Sequence, residues 1–162
     1  MSNGFYGREA FDAQTILAQM LVMQTLFYLL LGLACSIVDV VFGVPLSLDQ
    51  MLSSKAMGNM STRLAWATIF SIALSALFNV FALRIVVERA RKCLDFGATI
   101  YILHLFVCCL HAGFPSHWEW WAVNLGAMVF SIVLGEYVCA RREMREITIV
   151  RRAPMGMDDM IP

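Results

Sequence analysis

Charged residues in this chain, apart from one acid, fall in the gaps between four long apolar runs. No Asp, Glu, Lys or Arg occurs in residues 13–38, 64–83 or 96–118, and residues 120–140 carry a single acid, Glu136. A membrane-crossing helix needs about 20 mostly apolar residues at 1.5 Å rise each, so each run has room for one. A soluble domain of 162 residues cannot bury four such segments, because its surface needs polar cover. The pattern therefore predicts an all-α membrane protein, an antiparallel bundle with spans at about 13–42, 64–87, 96–112 and 118–140. The third span, about 17 residues, is at the lower limit.

The punctuation between the runs agrees. Gly43 and Pro45 stop the first helix, and Gly113, Pro115 and Ser116 make a tight turn before the fourth. Leu48 to Met51 predicts a short interfacial helix in the first loop, and Trp118, Trp120 and Trp121 belong at a membrane interface. Outside the transmembrane domain, residues 13–142, lie a short polar tail, residues 1–12, and a charged tail, residues 143–162. No cleavage site of small residues follows the first run before Asp39, so that run reads as a signal anchor.

Composition strengthens the class: 60% of residues are hydrophobic, 15% are charged and the mean hydropathy is +0.71. Charge then supplies orientation. With four spans, both termini share a side with the connection between the second and third, and that side holds ten of the twelve basic residues. Only Lys55 and Arg63 lie opposite. Short cytoplasmic loops are enriched in Lys and Arg, so both termini are expected in the cytoplasm. The zero net charge gives no footing for nucleic acid.

Candidate chemistry is sparse. The five cysteines include no C-x-x-C pair; Cys93 and Cys139, at membrane edges, are placed where acylation occurs but read more simply as small apolar filler. Polar residues inside the spans must find partners, since lipid offers none, and Gln19, Gln24, Asn79 and Asn124 are expected to hydrogen-bond between helices. Asp39 and Glu136 are ionisable near span ends, His104 sits mid-helix, and Arg141 and Arg142 follow Glu136 at spacings that allow a cap. His111, His117 and Glu119 have no spacing that forces a metal site. No catalytic constellation and no motif for a cofactor occurs, so the chain is not expected to be an enzyme.

Several local patterns carry further information. They are Met23-Gln24-Thr25, Ser47-Leu48-Asp49-Gln50-Met51, Lys92-Cys93-Leu94-Asp95-Phe96, His104-Leu105, Phe114-Pro115-Ser116 with Trp120-Trp121, and Gly135-Glu136-Tyr137. In this order and spacing they resemble the Sys family of small four-span Golgi membrane proteins, over roughly residues 16–147. The chain departs from that family before the first span, reading Phe11-Asp12-Ala13 where Trp-Asp-Pro is frequent; residues 52–63 and those after Val150 show no match.

The resemblance implies a multi-pass Golgi membrane receptor. It would recruit an Arf-like small GTPase that depends on N-terminal acetylation, and through it golgin tethers, to trans-Golgi membranes. Its partners would thus be the lipid bilayer, the GTPase and, indirectly, the golgins. The start of the third span and the end of the fourth emerge on the same side, so the expected docking residues are Arg91, Lys92, Asp95, Glu136, Tyr137, Arg141 and Arg142. An alternative from the intramembrane polar residues alone is a small oligomeric transporter or channel.

Overall fold

A computed structural model describes residues 13–86 and 90–152. Among the described residues every element is helical: α1 (Ala13–Phe42), α2 (Leu48–Leu52), a 3-10 turn (Ser54–Met57), α3 (Arg63–Val86), α4 (Ala90–Ala112) and α5 (Trp118–Arg152). Four of them are long and apolar enough to cross a membrane, over Gln14–Phe42, Arg63–Val86, Cys93–Ala112 and Trp118–Arg142.

Helix ends are set by local chemistry. Gly43 adopts φ 64° just past α1, and Val44 N–H donates to Asp39 C=O at 3.0 Å, closing a Schellman motif. Gly113 ends α4 with φ 84° in the simpler αL motif, its own N–H donating to Cys109 C=O at 3.1 Å. Thr62 caps α3 by accepting from Ala65 N–H, and Ser47 caps α2 by accepting from Gln50 N–H.

Around the bundle the order is α1, α3, α5, α4: α1 packs on α3, α3 on α5, α5 on α4, and α4 more lightly back on α1. The successive helices α3 and α4 thus stand nearly diagonal to one another. Met23, Phe27, Leu31 and Cys35 of α1 meet Leu83 of α3, Phe96 and Ile100 of α4 and Cys139 of α5 in the main core. Outward positions are apolar too, with Leu21, Val40 and Phe106 exposed, as lipid contact requires.

Two boundaries differ from the sequence reading. The third membrane helix begins at Ala90, and its apolar span covers Cys93–Ala112, 20 residues instead of the roughly 17 expected. The last helix continues to Arg152, twelve residues past the expected end at 140, so the first part of the charged tail is helical. Both have one cause. A charge-free window marks the stretch immersed in lipid, whereas a helix extends into water wherever its residues have adequate propensity, as Arg, Lys, Glu and Met do.

Candidate functional site

Three polar regions interrupt the apolar bundle. At one end α3 finishes, α4 begins and α5 leaves the predicted span. Arg142 donates to the Arg84 carbonyl, in the last turn of α3, at 3.4 Å. Beside it, the Arg141 guanidinium reaches back one turn to lie 4.8 Å from the centre of the Tyr137 ring, a cation–π contact on a side chain that is 52% exposed. Glu136 is exposed beside Tyr137, and neither Glu136 nor Arg141 turns to form an ion pair with the other. Asp95 is exposed but lies two positions from both Cys93 and Gly97, which face α5, and so turns to the opposite side of α4. Arg91 and Lys92 stand in the first turn of α4, their side chains outside the described part of the structure. Among the described side chains of the seven expected docking residues, Tyr137 and Arg141 are in direct contact, while Asp95 lies on another side of its helix.

Beneath this surface Cys93 and Cys139 meet at 3.3 Å across the α4–α5 interface, 0% and 2% exposed. They fill the interior as the sequence reading had them, and neither thiol faces lipid.

Mid-bundle, His104 Nδ1 lies 3.3 Å from the Tyr28 hydroxyl and Nε2 lies 3.5 Å from the Cys108 thiol, one ring nitrogen donating and the other accepting, with Trp120 stacked at 6.4 Å. Tyr101 meets Ser131 at 3.3 Å, and Ser131 donates on to the Ala76 carbonyl, joining α4, α5 and α3. These bonds use hydroxyls and a ring, and Asn79 of α3 joins them at the Tyr101 hydroxyl of α4. Asn124 donates to Trp120 C=O of its own helix at 2.9 Å, Gln24 lies beside Tyr28 of its own helix, and the carbonyl oxygen of Asn79 is buried without a donor among the described residues. The amides stood out because they are rare in spans, whereas a tyrosine or serine in an apolar run gives no sign of which helix it will bond.

At the other end α2 acts as a clasp. Gln50 Nε2 donates to Asp39 Oδ1 of α1 at 2.8 Å, both residues being 3% exposed. Its neighbour Asp49 reaches His111 Nε2 of α4 at 3.1 Å on the surface. Asp39 Oδ2 and Gln50 Oε1 are buried without donors. No group of three or more His, Cys, Asp and Glu side chains able to hold a metal ion occurs among the described residues, and His111 pairs with Asp49 instead of joining His117 and Glu119.

The family model for SYS1, integral membrane protein S linking to the trans Golgi network, matches residues 6–149. The chain belongs to the SYS1 family. It is 36% identical over 149 residues to a protein SYS1 homolog of Nematostella vectensis, covering 92% of this chain and 94% of that protein. It is 35% identical over 147 residues to a protein SYS1 homolog of Dictyostelium discoideum, covering 91% of this chain and 63% of the relative's length. No solved structure matches. Membership makes the chain an integral membrane protein of the trans-Golgi network, and its helices supply four membrane spans. The SYS1-like segments recognised in the sequence have concrete tasks in this fold. Ser47, Asp49 and Gln50 cap and clasp α2, Cys93 packs against Cys139, and Gly135 faces Leu83 so closely that an added Cβ would lie 3.0 Å from its Cδ1.

Proposed function

We propose that this SYS1-family protein is a trans-Golgi membrane receptor that recruits an N-terminally acetylated Arf-like small GTPase, and through it golgin tethers. In this reading both termini are cytoplasmic, and the docking face is the end of the bundle bearing Arg91, Lys92, Asp95, Glu136, Tyr137, Arg141 and Arg142. The observation that carries it is the exposed Tyr137 with the Arg141 guanidinium over its ring, at the level where α5 leaves the apolar span. An amphipathic aromatic braced by a cation is the kind of anchor that protein interfaces use, and it stays presented because its neighbours Gly135 and Cys139 face inward. Membrane recruitment of a weakly anchored protein needs a second attachment, which such a face provides.

The transporter alternative has less support, because both His104 ring nitrogens are engaged and the grooves of about 400 and 260 Å³ beside α5 are lined mainly by apolar side chains. The test is Tyr137→Ala, and in parallel charge reversal of Arg91 and Lys92, in cells expressing the tagged GTPase. Both variants should reach the Golgi at normal abundance while the GTPase becomes cytosolic. Retention of the GTPase on Golgi membranes with both variants rejects this face.

A further inference from the structure

The loop between α2 and α3 contains the triplet Asn59-Met60-Ser61, an asparagine followed after one non-proline residue by serine. This is the acceptor pattern for N-linked glycans. Among residues 1–162 no other asparagine stands in it: Asn3, Asn79 and Asn124 are followed two residues on by Phe5, Phe81 and Gly126. The pattern alone is common, and the surrounding structure gives it weight.

Asn59, Met60 and Ser61 are all exposed, in a turn that belongs to no long helix. Ser61 folds back on Asn59 through two hydrogen bonds, its Oγ donating to Asn59 Oδ1 at 2.6 Å and its N–H to the same oxygen at 3.1 Å. With the carbonyl oxygen holding both donors, the Asn59 amide nitrogen is left without a partner among the described residues, and it is that nitrogen which accepts a glycan. The turn is locally closed, through Thr62 donating to the Asn59 carbonyl at 2.8 Å, so it does not depend on packing against the bundle. A bulky, water-seeking substituent on Asn59 would displace no buried side chain.

Timing is also favourable. Asn59 follows the last residue of α1 by seventeen positions, and an extended chain of that length reaches roughly 55–60 Å from its anchor. Before α3 enters the bilayer, the triplet therefore has room to reach an enzyme standing above the membrane surface.

We infer that Asn59 is an N-glycosylation site, its acceptor turn preformed by Ser61, on the luminal side of the membrane. The inference rests on the orientation in which both termini are cytoplasmic. In the reaction the Asn59 Nδ2 forms a bond to the anomeric carbon of an oligosaccharide carried on a lipid diphosphate. The sugar–diphosphate bond breaks, the lipid diphosphate leaves with the bonding electron pair, and the amide proton passes to a base of the transferase.

The test is the electrophoretic mobility of the full-length tagged protein from cells, with and without peptide N-glycosidase F. Wild type should show one slower form that the enzyme collapses, and Asn59→Gln and Ser61→Ala should each abolish it. Ser61→Thr, which keeps the hydroxyl, should retain it. Control proteins carry a new acceptor triplet either nearer α2 in the same loop or after residue 152. If the loop control is modified while wild type and Ser61→Thr show no sensitive form, Asn59 is not a site although the orientation stands. If only the tail control is modified, the orientation fails and the site with it.

Discussion

Single side chains decide how close these helices come. An added Cβ at Gly97 would lie 2.6 Å from Ile132 Cγ1, a distance that forces α4 and α5 apart or Ile132 out of its place. Gly97→Ala is therefore expected to cost about 1–3 kcal/mol, and Ile132→Ala in the same chain should return part of it. Thermal unfolding in detergent reads both, and a Gly97→Ala protein as stable as wild type contradicts the close contact. Asp39 allows a subtler comparison. Asparagine there has an amide that can donate to Gln50 Oε1, satisfying an acceptor that the native pair leaves buried without a donor. Asp39→Asn should match or exceed wild-type stability, whereas Asp39→Ala should lose about 1–3 kcal/mol by stranding the Gln50 amide.

At the scale of elements, α2 shows what the sequence made legible. Leu48 to Met51 reads as a short interfacial helix, and the structure forms it as α2 with Ser47 as its cap. Which residues its two polar side chains would find was not legible, since Asp39 and His111 are 11 and 62 positions away from their partners. The spans themselves were plain from the absence of charge. Their interhelical bonds were not, because Tyr28, Tyr101 and Ser131 differ from ordinary span residues only by a hydroxyl. Nor could the extension of α5 to Arg152 be read from hydropathy, which falls where the helix continues. The two arms of the clasp should differ in strength. Asp49 and His111 pair in solvent, so Asp49→Ala should cost no more than about 1 kcal/mol. Gln50→Ala removes the one hydrogen bond made to the buried Asp39 carboxylate among the described residues and should cost more, about 1–3 kcal/mol. Equal unfolding temperatures for the two variants would show that burial does not separate these arms.

For the molecule as a whole, ten of twelve basic residues on one side of the expected topology predict cytoplasmic termini. In sealed Golgi membranes, a protease added outside should remove an epitope fused after residue 162 and spare one inserted in residues 46–62. The reverse pattern would invert the bundle and move the face at Tyr137 away from any cytoplasmic partner. The order of helices in space has a separate consequence. Since α1 packs on α3 and α4 on α5, while α3 and α4 stand nearly diagonal, the chain consists of two helical hairpins joined where contact between them is weakest. Each hairpin can cross the bilayer as a unit and then associate laterally through α3 and α5, in the two stages by which membrane helices assemble. The protein should consequently survive division: fragments 1–88 and 89–162, made as separate chains in one cell, are expected to co-purify and to reach the Golgi together. The peptide link between the halves would then be a convenience of synthesis, and the recognition that rebuilds the bundle would reside in the surfaces of α3 and α5.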